Sequence, residues 1–192
     1  MRNRDKLFEI ADRQQGFFTT KQAEGCGFSR SNFHVKIVSK EWIKEQRGIY
    51  RLAQYPITER PELVLWTLWS CNRKGDPQGI WSHETALDIY ELSDVMPAKM
   101  HMSVPSNFRR RLAIPRILAL HVNTIPEVDI EIRQGYRITK PLRTILDVLY
   151  EGKVAQDQIA QALKEALERG LITRRELESE FRLIKIKKEY EI

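Results

Sequence analysis

Within residues 28–52, "FSRSNFHVKIVSKEWIKEQRGIYRL", the hydrophobic period changes once, halfway along. The first half places Phe33 and Ile37 four residues apart, the inward face of a short helix. Ser29, just ahead of it, is a natural N-cap. The second half turns at Gly48 and continues in the β-formers Ile49 and Tyr50, the pattern of a short hairpin. A helix that hands over directly to a hairpin near Trp42 fits few small folds, and the preceding residues narrow them. "KLFEIADRQ" puts Leu7, Ile10 and Ala11 on one helical face, and Gly16 follows as a stop. Thr19, with Gln22 three residues on, forms a capping box that opens a second helix from Thr20 to about Glu24. "GCG" at 25–27 ends that helix, because glycine takes left-handed turn conformations freely.

Three short helices and then a β-hairpin is the order of a winged helix-turn-helix, whose third helix enters the major groove while the hairpin lies along the phosphates. The charge distribution agrees. The chain carries +6 overall, and residues 1–55 hold 11 Lys/Arg against 6 Asp/Glu. A basic first quarter points to a polyanionic partner, most simply nucleic acid, and with the winged-helix order double-stranded DNA is expected. Arg30, Asn32, His34 and Lys36 are the polar positions of the third helix and the candidates to reach base edges or phosphates. Thr20, Lys21, Ser29 and Ser31, at the helix starts, complete that candidate set. Lys44, Arg47 and Arg51 on the hairpin are expected to touch phosphate, adding affinity rather than specificity.

"YPITERP" at 55–61 has two prolines and no apolar period, so a boundary is expected there, between a domain at 1–55 and a second at 62–192. The second reads as mixed α and β, a small sheet flanked by helices, which makes the fold class α+β. "PELVLWTLWS" is a helix with Leu65, Leu68 and Trp69 buried, and "SHETALDIYEL" another with Ser82 as cap. Strands are expected at 100–104, 116–122, 128–133 and 136–139, with a turn at 134–135. Helices then return. "PLRTILDVL" starts on Pro141 and lines up Leu142, Ile145, Leu146 and Leu149. The next, ending at Gly170, lines up Ile159, Leu163, Ala166 and Leu167. "TRRE" at 173–176 caps a last helix with Leu177, Phe181 and Ile184 in register.

No apolar run approaches the roughly 20 residues of a membrane helix, and the N-terminus lacks the apolar segment of a signal peptide, so a cytoplasmic protein is expected. Cys26 and Cys71 lack metal-ligand spacing and read as reduced thiols. One enzymatic reading uses Asp129 and Glu131, two apart on a strand, with Lys140, as a metal-dependent nuclease. The plainer reading has Val128, Ile130 and Ile132 facing a core and the charges facing water. His83 beside Glu84 has no nucleophile or third group in the sequence, and His101 and His121 fall in strand patterns without metal-ligand spacing. No catalytic residues, metal or cofactor are therefore expected. "SNFRRRL" at 106–112 is a second basic cluster, Arg109, Arg110 and Arg111, which extends the DNA footprint, binds RNA or an acidic partner, or is a solvated loop.

"FFTTKQAEGCGFSRSNFHVKIVSKEWIKEQRGIYRL" resembles the N-terminal winged helix-turn-helix of AbiEi-type antitoxins, transcriptional regulators of a viral defence system. The resemblance continues through "SHETALDIYELSDVMPAKMHMSVPSNFRRR", "GYRITKPLRTILDVL" and "ALKEALERGLITRRELE". It implies a two-domain antitoxin whose first domain binds repeats in its own promoter and represses the operon. The second domain contributes antitoxicity against a nucleotidyltransferase-like toxin. Some proteins of this kind carry a further nuclease domain, which is not expected in the 192 residues here. Where members often have glycine between the third helix and the hairpin, this chain has Lys40 and Glu41. Val35 stands where a polar residue is expected.

Overall fold

The computed structural model describes residues 2–109 and 113–180. These divide into two compact units, one of residues 2–80 with 104–109 and 132–137, the other of 81–103, 113–131 and 138–180.

The first unit opens with α1 (Asn3–Asp12), whose Leu7 and Ala11 are buried. Gly16 follows at φ +87, where a Cβ would stand 2.5 Å from Tyr55 Cγ. The sequence pattern missed what comes next: Phe17–Thr19 is a strand, β1. Three residues are too few to show an alternation. Thr19 then caps α2 (Thr20–Gly25) in the expected box, its Oγ1 accepting from Gln22 N at 3.2 Å while Gln22 Oε1 accepts from Thr19 N at 2.8 Å. The third helix is a 3-10 turn over Arg30–Asn32 leading into α3 (Phe33–Val38). Ser29 does not cap it. Its hydroxyl pairs with Ser31 Oγ at 2.7 Å, and the 3-10 start offers no well-placed amide.

Strands β2 (Trp42–Gln46) and β3 (Ile49–Leu52) form the hairpin, with a register shift between Lys44 and Gln46. β3 is central, since β1 pairs on its other side with Phe18 opposite Tyr50. Three helices and a three-stranded antiparallel sheet make this a winged helix-turn-helix. Its core is aromatic. Trp42 meets Phe18, Phe28 and Phe33 edge-on at centroid distances of 4.8–5.1 Å, and Phe33 meets Tyr50 at 5.5 Å. Helix α4 (Pro61–Trp69) packs against β1 and β3. It is buried nearly all round, through Leu63, Val64, Trp66, Thr67, Leu68 and Trp69, and Leu65 is only half-buried, so a one-sided buried face was the wrong expectation.

A second, five-stranded sheet has the order β6-β5-β4-β8-β7. Its middle strand, β4 (Ile80–Trp81), was also invisible in sequence, being two residues long. Trp81 is fully buried and lies parallel to Ile138 of β8 (Tyr136–Thr139). β5 is Met100–Val104 and β6 is Leu118–Val122, with 116–117 in a turn. The strand expected at 128–133 begins as a 3-10 turn over Glu127–Asp129, and β7 is only Ile130–Arg133. Val128 falls in that turn and β7 is an edge strand, and Ile130 is buried while Val128 and Ile132 are 72% and 79% exposed. These two therefore do not face a core. Asp129 and Glu131 take separate partners, Arg143 Nη1 at 3.4 Å and the Tyr90 hydroxyl at 2.8 Å.

Helix α5 (His83–Tyr90) follows Ser82, whose side chain bonds Ser103 and His83 instead of capping. α5 packs on α6 (Pro141–Glu151), and α6 on α7 (Gln156–Glu168). Pro141 takes the first-turn position as expected. The buried face of α6 is Thr144–Val148 and is shifted from the apolar register, because Thr144 is held by Thr139 Oγ1 at 2.7 Å and Leu149 turns outward. Ala162 and Ala166 form the buried ridge of α7, and Gly170 ends it at φ +66. Thr173 and Glu176 make the last capping box. Leu177 is half-buried; Phe181 and Ile184 lie outside the described residues.

Candidate nucleic-acid interface

The helix-turn-helix is positioned from behind by Phe33, 4% exposed, which anchors α3 to the aromatic core. This leaves Ser31, His34, Val35 and Val38 on the solvent side of the third helix. Val35 and Val38 are 60% and 66% exposed, so the position expected to be polar presents an apolar strip instead.

The structure sorts the candidate residues by what already holds them. The side chains of Asn32, His34, Lys44 and Arg47 are exposed, with no hydrogen-bond or ion-pair partner among the described residues. Arg30 is exposed but pairs with Glu24 at 3.0 Å. An exposed pair of this kind contributes only about 0–1 kcal/mol, so Arg30 can exchange Glu24 for phosphate at little cost. Lys36 is held more firmly. Its Nζ donates to both oxygens of Glu41, at 2.9 and 2.8 Å. Hydrogen bonds from Lys36 and Ser39 hold the Glu41 carboxyl below its ordinary value.

Arg51 is the least available. It is largely buried, pairs with Glu45 at 2.8 Å and lies 6.0 Å over the Phe17 ring. Lys21 donates to the carbonyls of Arg73 and Lys74. Thr20 ties α2 to the hairpin turn, its amide donating to Gly48 O at 2.9 Å. Ser29 and Ser31 satisfy one another. Of the second basic cluster, Arg109 turns back onto the Ser106 and Phe108 carbonyls, and Arg110 and Arg111 lie outside the described residues.

Sequence reasoning underrated one feature. Lys40 follows α3 at φ +57, the left-handed conformation that glycine takes freely. That conformation turns the chain sharply from α3 into β2, and it falls at the place where glycine was expected. No helix among the described residues is long and apolar enough to cross a membrane.

No protein of curated function matches this chain. A family model described as "Transcriptional regulator, AbiEi antitoxin" matches residues 5–53, which run from α1 through the end of β3. In that winged helix-turn-helix module, the chain is similar to the AbiEi antitoxin transcriptional regulators.

Proposed function

We propose that this protein is a DNA-binding antitoxin that represses its own operon and counteracts a nucleotidyltransferase-like toxin. The observation that carries this reading is the third helix. Its exposed face holds Asn32 and His34 unpaired beside Val35, within the module that matches the antitoxin family. An asparagine amide can bond an adenine edge bidentately, and an exposed valine suits a thymine methyl. Lys44 and Arg47 add phosphate contacts from the hairpin. Arg30 joins them by leaving Glu24.

The test is co-expression with the adjacent gene together with a reporter fused to the native promoter. The parent protein is expected to restore growth and silence the reporter. An Asn32→Ala/His34→Ala variant is expected to lose silencing. A protein that restores no growth and represses nothing overturns the reading. Repression without growth rescue removes the antitoxin half and leaves a stand-alone regulator.

A further inference from the structure

Three of the chain's four histidines meet in the second unit. His83 and Glu84 open α5, His101 lies in β5, His121 in β6, and Glu151 ends α6. The His83 and His121 rings stack at 3.6 Å. His101 Nδ1 stands 3.0 Å from His121 Nε2 and 2.8 Å from Glu84 Oε2, and His121 Nδ1 stands 3.7 Å from Glu151 Oε1. His83 reaches this position at φ +53, a strained backbone for a residue other than glycine. Four separate elements thus deliver five donor side chains to one place. Their spacing of 17–30 residues conceals this in the sequence.

The cluster leaves two buried carboxylate oxygens unsatisfied. An imidazole nitrogen carries at most one hydrogen. His121 Nε2 and Glu84 Oε2 both stand within 3.0 Å of the single His101 Nδ1. Glu84 Oε2, 2.8 Å from His101 Nδ1, and Glu151 Oε2 are buried without a well-aligned hydrogen bond, while the other Glu151 oxygen, Oε1, accepts from Lys153 Nζ. A buried carboxylate oxygen left unpaired is destabilising, and a cation at the same point would satisfy it. Ser82 Oγ, 2.9 Å from His83 Nδ1 and 2.8 Å from Ser103 Oγ, fixes that ring from outside and leaves Nε2 for a ligand.

We propose that these residues bind a divalent transition-metal ion of the zinc class, held by His83, His121 and Glu151, with Glu84 and His101 beside it. In the set His83, His121 and Glu151, and in the set Glu84, His101 and Glu151, the ligand atoms lie within 4.8 Å of one another, so Glu151 is common to both. Small side-chain rotations bring such atoms onto one ion. Imidazole nitrogen with carboxylate oxygen and no thiolate suits zinc, cobalt or nickel rather than calcium or magnesium. The ion would link α5, β5, β6 and α6 and stabilise the second unit. The inference goes beyond the DNA-binding reading and does not depend on it.

The experiment uses the full chain, stripped with a chelator and titrated with Zn²⁺ by calorimetry and with Co²⁺ by visible absorption. One ion per chain is expected, together with cobalt bands of a nitrogen–oxygen ligand field and a higher Tm when zinc is added. His121→Ala and Glu151→Gln are each expected to weaken binding by about 100-fold, in line with losses seen for residues that only support metal ligands. Cys71→Ser is expected to bind as the parent does. Circular dichroism checks that the variants are folded; if His121→Ala does not fold, the near-isosteric Glu151→Gln decides. A folded parent that takes up no ion overturns the proposal. So does uptake unchanged in Glu151→Gln, or uptake lost in Cys71→Ser.

Discussion

Lys40 and Gly16 take the same backbone region with opposite consequences. Lys40 at φ +57 carries a Cβ where the left-handed conformation costs roughly 1–2 kcal/mol, part of which glycine returns through its freer unfolded chain. Lys40→Gly is therefore expected to raise stability by up to about 1 kcal/mol in urea unfolding. Gly16 already has the residue its conformation requires, and a methyl group there would press into the Tyr55 ring. Gly16→Ala is expected to lower stability by more than about 1 kcal/mol in the same measurement. The sequence showed Gly16 as a helix stop, which it is, but the close approach of Tyr55 depends on chain 39 residues away. Asp147 gives a pH dependence. Burial raises its carboxyl above the ordinary value against the pull of Arg143, with Asp129 and Glu151 adding to the rise. The folded state therefore holds this proton more tightly than the unfolded chain. The stability it confers is full below the unfolded value near about pH 4 and is lost as pH rises through the raised value. Relative to Asp147→Asn, which keeps an acceptor for Arg143 Nε, the parent is expected to lose stability as pH goes from 3 to 7. A pH-independent difference would remove this account.

Among elements, legibility follows length and local chemistry. The capping boxes at Thr19 and Thr173 were readable because both partners lie within four residues. Thr19→Ala is expected to cost about 1 kcal/mol in thermal unfolding, the usual loss for a helix cap. The hairpin was readable from Gly48 and its β-formers. Strands β1 and β4 were not, because two or three residues carry no period and their pairing is set by distant partners, β3 and β8. Ser29 and Ser82 looked like caps, yet each found a nearer serine hydroxyl. The same limit applied to the interface. The sequence could name the polar residues of α3 and the hairpin. Only the structure separates the side chains of Asn32, His34, Lys44 and Arg47, which are unpaired among the described residues, from those of Lys36 and Arg51, whose charges Glu41 and Glu45 already engage.

At the scale of the molecule, most of the +6 charge sits in residues 1–55, which also hold the helix-turn-helix. Phosphate contacts release counterions, so log affinity should fall linearly with log salt, and each lost contact should flatten the slope by about 1. Lys44→Ala/Arg47→Ala is thus expected to reduce the slope by about 2 on any duplex, specific or not, while leaving sequence preference intact. Specificity is assigned instead to the third helix, and that assignment is the centre of the account. It is tested most directly by fluorescence anisotropy of the native promoter duplex against a scrambled duplex of equal length at matched salt. The parent is expected to prefer the promoter by at least about 1000-fold, the lower bound usual for specific binding, and Asn32→Ala/His34→Ala is expected to erase most of that preference. Equal binding of both duplexes by the parent, or an undiminished preference in the double variant, would contradict it.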